Sequence, residues 1–262
     1  MTSRIHYDIQ VIKVGEADVP GPEVYWMSRW GTWETLYFYI VLIRGGGKTL
    51  VVNTGPPADL GVLNKAWTLG YGTERAAMRR TEQERPAAAL RRAGTAPAEV
   101  DYVLITPLQA YATANIPDFS KATICISKRG WIEDFHAPRF ALHTPRELRI
   151  PNNVLVYLEV EAAGRIRLLE DEEEILPGIR SLWTGGHHRS SVAYFAETAR
   201  GTVAVADCVF KYPNIEQNLP LGVQESMEEC LLAYERIRKR ADIVVPLYDP
   251  EVLQRYADGR VA

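Results

Sequence analysis

The stretch Val100-Asp101-Tyr102-Val103-Leu104-Ile105-Thr106-Pro107-Leu108-Gln109-Ala110-Tyr111-Ala112 lies near the middle of the chain and decides how the rest is read. Val100–Thr106 has the apolar, β-branched and aromatic character of a buried strand. Upstream, Tyr37–Arg44 is a second buried strand, and Gly45-Gly46-Gly47-Lys48 supplies a tight turn, since glycine tolerates positive φ. Thr49–Asn53 returns as the partner strand of that hairpin, and Asn53-Thr54-Gly55-Pro56-Pro57 breaks it. Thr81-x-x-Glu84 reads as a capping box, Pro86 suits a first helical turn, and Gly94 is a stop.

Downstream, Thr123–Ser127, Asn153–Glu161 and Ile166–Leu169 read as strands. So do Ile179–Thr184, Ser191–Glu197, Gly201–Asp207 and Ile243–Pro246. The acidic run Glu170–Glu174 reads as a solvated turn. Ser226-x-x-Glu229 is a second capping box, followed by Met227, Cys230, Leu231, Tyr234 and Ile237 at helical spacing. The expected class is α/β: two mixed sheets packed face to face with helices outside, one domain spanning 1–262.

Composition narrows the function. The chain has 262 residues, 47% hydrophobic and 24% charged, which is ordinary globular usage. Net charge is −3, from 30 basic and 33 acidic residues, so nucleic acid is not the expected partner. The longest apolar run, Leu36–Ile43, falls far short of the ~20 residues needed to span a bilayer, so no membrane partner is expected. Met1–Gly15 alternates polar and apolar residues without a signal-peptide core, so the expected location is cytoplasmic. Cys125, Cys208 and Cys230 are too scattered for a disulfide framework or a metal knuckle.

The order of these elements resembles the metallo-β-lactamase fold. Asn53-Thr54-Gly55 is similar to that family's Asp-Thr-Gly strand end. Val100–Thr106 is similar to the strand that delivers its His-x-His-x-Asp-His motif, Trp183-Thr184-Gly185-Gly186-His187 to its Thr-Pro-Gly-His segment, and Val203–Asp207 to the strand ending in the metal-bridging Asp. Pro246-Leu247-Tyr248-Asp249-Pro250 is similar to its closing Pro-Gly-His-Asp segment. The resemblance runs from about residue 36 to 250 and is nearest to the N-acyl homoserine lactonase-like hydrolases. It implies an αββα sandwich with the catalytic centre at one end.

In that family seven side chains hold two metal ions. The corresponding positions here are Pro107, Gln109, Tyr111, Ala112, His187, Asp207 and Tyr248. Only His187 and Asp207 keep a ligand-type residue. Catalytic zinc generally needs three protein ligands plus water. Pro107 and Ala112 have no side-chain donor, Gln109 is a neutral oxygen ligand, and Tyr111 and Tyr248 would have to ionise from about 10. No metal or other cofactor is therefore expected. A relocated single metal would need His187 and Asp207 together with His188, Cys208, His136 or His143.

The leading expectation is a hydrolase of the lactonase branch that has lost the dinuclear site. His187 would act as base on a small ester or lactone, Asp207 would orient it, Tyr111 and Tyr248 would face a developing oxyanion, and Gln109 would contact substrate. The alternative is a catalytically inactive chain that binds a small molecule or a partner protein. On that view His187 and Asp207 are hydrogen-bonded relics, and Gln109 and Tyr111 fill the space left by the metals. Trp26, Trp30 and Trp33 are candidate pocket or lid aromatics within an N-terminal lid or hairpin at about 20–40; dimer contact or core packing is the competing reading. His136 and His188 complete the substrate-side candidates, although His188 also reads as an exposed loop residue. A homodimer is expected from the resemblance and the aromatic stretch.

Overall fold

The computed structural model describes residues 5–136 and 145–262. Six strands form the first sheet in chain order: β1 (Asp8–Pro20), β2 (Trp33–Gly45), β3 (Lys48–Val52), β4 (Tyr102–Leu104), β5 (Thr123–Ser127) and β6 (Ile166–Leu169). The second sheet contains β7 (Glu172–Leu176), β8 (Ile179–Trp183), β9 (Val192–Thr198), β10 (Gly201–Ala206) and β11 (Ile243–Pro246), ordered β11-β10-β9-β8-β7. Both sheets are mixed. β1, β2 and β3 pair antiparallel, while β4, β5 and β6 add in parallel.

Alternation along β9 and β10 explains the layering. Val192, Tyr194, Ala196, Val203 and Val205 belong to the large core between the sheets. Their neighbours Ala193, Phe195, Ala204 and Ala206 belong to a second, smaller core on the other face. Successive strand residues point to opposite faces, so a strand apolar at every position is one covered on both sides. The outer cover is the helix Met227–Arg238, which buries Cys230, Ala233, Tyr234 and Ile237. Its N-cap is Ser226, whose Oγ accepts from the Glu229 N–H at 3.3 Å. The first capping motif also forms: the Glu84 carboxylate accepts from the Thr81 N–H at 2.7 Å, ahead of the helix Pro86–Arg92.

Two expectations are corrected. Asn153–Glu161 is helical, as Asn152–Val156 followed by a wider π turn through Glu161. The apolar residues at 154, 156, 158, 160 and 162 suggest period two, but only every fourth residue is buried. Val154, Leu158 and Ala162 are fully covered, whereas Val156 is 61% and Val160 74% exposed. That is helical periodicity. The acidic run is an edge strand from Glu172 rather than a turn, and charged edges resist pairing with other chains. β1 and the helix Gly61–Tyr71 were not foreseen.

Tyr194 ties the sheets together. Its ring is 1% exposed, and its hydroxyl donates to the Ile105 carbonyl across the sandwich at 2.8 Å. Tyr194→Phe keeps the ring and strands that carbonyl. It should lower the unfolding free energy by about 1–2 kcal/mol in urea denaturation, with an unchanged m-value.

Candidate functional site

The ends of β3, β4, β9 and β10 converge at one end of the sandwich. Asn53 leaves β3 with φ +63°, and its amide spans the backbone of Thr106: Nδ2 donates to the Thr106 carbonyl at 2.7 Å, and Oδ1 accepts from the Thr106 N–H at 2.9 Å. An aspartate lacks the donor, so Asn is suited to this double bracket. Thr106 in turn donates from Oγ1 to Asp207 Oδ1 at 2.5 Å and accepts from the Val192 N–H at 2.9 Å. Ser191 Oγ donates to Asp207 Oδ2 at 2.7 Å and accepts from the His188 N–H at 3.0 Å. Asp207 is wholly buried.

The expected His187–Asp207 pair does not form. Both Asp207 oxygens are engaged by hydroxyls, and His187 turns its Nδ1 to the Val223 carbonyl at 2.8 Å. A carbonyl only accepts, which places the proton on Nδ1 and leaves Nε2 as a lone-pair acceptor. Nε2 is buried and has no partner among the described residues. Burial, reinforced by the adjacent His188, pushes the His187 pKa well below the usual imidazole value, so the ring is neutral.

The loop carrying the two histidines is pinned from several sides. Gly186 has φ +71°, and a Cβ there would lie 2.7 Å from Cys230 Sγ. Arg189 donates to Glu133 at 2.8 Å and to Glu229, while stacking over Trp183. His188 is largely covered rather than exposed, with Nδ1 3.5 Å from a Glu225 carboxylate oxygen. Burial opposes its charged form, yet Glu225 and Asp134 outweigh that and raise its pKa.

His187 lines a cavity of about 450 Å³ with Tyr111, Tyr248, Gln109 and His188. The remaining wall is largely aromatic. Phe38 lies 5.4 Å from Tyr111, 5.5 Å from Tyr248 and 5.8 Å from Trp67 between ring centroids, and Phe210 is 4.6 Å from Tyr248 and 4.8 Å from His187. These are edge-to-face or tilted contacts, the favourable geometries for aromatic rings. Glu23 and Tyr71, hydrogen-bonded to each other, stand in the same wall. Burial raises the Tyr111 and Tyr248 pKa values, with nearby negative charge on Asp207 adding to both.

Several candidates lie elsewhere. Trp26 and Trp30 are 46% and 68% exposed on the loop between β1 and β2, and neither lines the cavity. Trp33 stands behind the wall, edge-on to Tyr71 at 6.4 Å and beneath Arg75. The His136 side chain lies outside the described residues, as does His143. The aromatics that do face the cavity include Phe38, Trp67 and Phe210. Alternation along β2 carried a signal for Phe38, because it points opposite to Tyr37 and Tyr39.

The residues at the family's ligand positions do not fit a metal centre. Pro107 and Ala112 bring no donor, burial disfavours phenolate at Tyr111 and Tyr248, and both Asp207 oxygens already accept from hydroxyls, those of Thr106 and Ser191. Among the described residues, no group of three or more His, Cys, Asp or Glu side chains is placed to hold a metal ion. None of their helices is long and apolar enough to cross a membrane.

No protein-family model and no curated protein matches this chain. Solved structures do. An N-acyl homoserine lactone hydrolase with the product N-hexanoyl-L-homoserine at its catalytic metal centre superposes with TM-score 0.76 at 21% identity, over 95% of this chain and 96% of that one. A quorum-quenching N-acyl homoserine lactone lactonase gives 0.77 at 19%, over 100% of both chains. The hydrolase AbOPH of the β-lactamase superfamily gives 0.68 at 13%, over 99% and 90%. The chain therefore has the metallo-β-lactamase fold, in the form seen in lactonase-like hydrolases.

The Asp207 carboxyl is pushed up to about 6, burial outweighing the two hydroxyl bonds that favour its charged form. In the unfolded chain it titrates near its ordinary value of about 4. The folded state thus binds this proton more tightly. Its contribution to stability is complete below about pH 4 and is lost as pH rises through about 6. Urea unfolding from about pH 4 to 7 should show this fall, at most roughly 1.4 kcal/mol per pH unit, and Asp207→Asn should remove that component.

Proposed function

We propose that this chain uses the metallo-β-lactamase fold to bind one small, mainly apolar molecule, without the family's dinuclear metal centre. The observation that carries the reading is the aromatic wall at the family's metal end: Tyr111 and Tyr248 stand at ligand positions and pack with Phe38, Trp67 and Phe210 around about 450 Å³. A mostly apolar cavity of that size, with a few convergent polar groups, is typical of a small-molecule site. Two of its polar groups are neutral: the lone pair of His187 Nε2 accepts, and the Tyr248 hydroxyl, which lacks a well-formed hydrogen bond, can donate.

A second reading, metal-independent hydrolysis of a small ester or lactone, is favoured by one observation. His187 is held in a single tautomer by Val223 with Nε2 unpaired, as a general base acting on water requires. The orienting group is then the Val223 carbonyl, not Asp207.

Calorimetric titration with 1-octanol should give saturable one-to-one binding, weakened at least about tenfold by Trp67→Glu, which places a charge in the wall. Elemental analysis of protein purified without chelator or added metal should find far less than one metal ion per chain, and added zinc should leave the melting temperature unchanged. Stoichiometric, chelator-sensitive zinc, or no saturable octanol binding, overturns the proposal. Ester or lactone turnover in chelator, lost in His187→Ala, selects the hydrolytic reading instead.

A further inference from the structure

A second cavity, of about 150 Å³, adjoins the aromatic one, and Gln109 and His188 line both. Its chemistry is different. It carries three basic side chains, Arg146, Arg149 and His188, against two carboxyls, Asp134 and Glu225. His188 and Glu225 face each other at 3.5 Å. Asp134 accepts from the Ser190 N–H at 2.9 Å, and its burial favours the neutral carboxyl.

Among the described residues, Arg146 gives its guanidinium to neutral acceptors, the Ile150 carbonyl at 2.8 Å and Asn152 Oδ1. A guanidinium has five N–H donors, so several remain for an incoming group. Gln109 is 6% exposed, yet its side-chain amide makes no hydrogen bond to any described residue. The residue lines both cavities, so an occupant of either can bond to the amide. Gln109 thus marks the junction between them.

We propose that the smaller cavity is the head-group site for an amphipathic carboxylic acid, its hydrocarbon lying among the aromatic rings and its carboxylate beside Gln109, His188 and the Arg146 guanidinium. The inference rests on the reading that the aromatic cavity holds a ligand, and it adds the charge and length of that ligand. Charge-assisted bonds from guanidinium to carboxylate are roughly twice as strong as neutral ones. A neutral alcohol of equal length reaches the same junction without that gain. An alkylammonium would present its charge to Arg146 and His188 and be repelled.

The test compares octanoate, 1-octanol and octylammonium by calorimetry on the intact chain. Octanoate should bind about tenfold or more tightly than 1-octanol, and octylammonium more weakly than either. Arg146 is exposed, so Arg146→Gln should fold normally. That variant should lose about tenfold in octanoate affinity and leave 1-octanol unchanged. If 1-octanol binds but octanoate gains nothing over it, or if Arg146→Gln leaves octanoate binding intact, the head-group site is overturned while the aromatic cavity stands. Binding by none of the three overturns both.

Discussion

A single buried carboxylate organises the functional end of this molecule. Asp207 ends β10, and its two oxygens take hydroxyl protons from Thr106, beyond β4, and from Ser191, before β9. The first hydroxyl belongs to one sheet and the second to the other, so the carboxylate staples the sandwich shut. Each hydroxyl also accepts a backbone N–H, which fixes its own proton toward Asp207. With a hydroxyl on each oxygen the carboxylate is held between the sheets, and His187 bonds to Val223 instead. The cavity wall beyond is largely aromatic.

Strand identity was legible along much of the chain because buried strands here carry β-branched and aromatic residues without interruption. Thr123–Ser127 and Ile243–Pro246 match the observed strands to the residue. Asn153–Glu161 failed because Val and Leu at alternate positions satisfy period two and period four at once. Exposure at Val156 and Val160 separates the two only after folding. The helix Gly61–Tyr71 has no side-chain N-cap, and with it went Trp67 as a site residue.

The positions of His187 and Asp207 near one end of the fold could be read from the order of motifs, but their pairing could not. Which acceptor an imidazole takes depends on competitors that are remote in sequence. Thr106 lies 101 residues from Asp207, and Val223 lies 36 from His187. Hydroxyl and carbonyl groups are common, and nothing local marks the ones that win. The tryptophan cluster misled for a related reason. Three in nine residues suggests a wall, yet Trp26 and Trp30 sit on a loop whose backbone is committed elsewhere: Trp26 donates to Pro220, and Thr32 donates to Arg29.

Burial gives the aromatic cavity a consistent electrostatic character. It lowers the imidazole pKa of His187, raises the phenol pKa values of Tyr111 and Tyr248, and lifts the carboxyl of Asp207. Each of these shifts favours the uncharged form, while His188, whose pKa is raised, and Glu23 stand in the same wall. A divalent cation entering such a place would surrender its hydration and find one imidazole nitrogen in return. A hydrocarbon surrenders only ordered water and gains close contact with five rings. Tyr111, Tyr248 and His187 therefore act together. The phenols at this end of the sandwich lower the local polarity, and lower polarity keeps those phenols, and the histidine beside them, neutral.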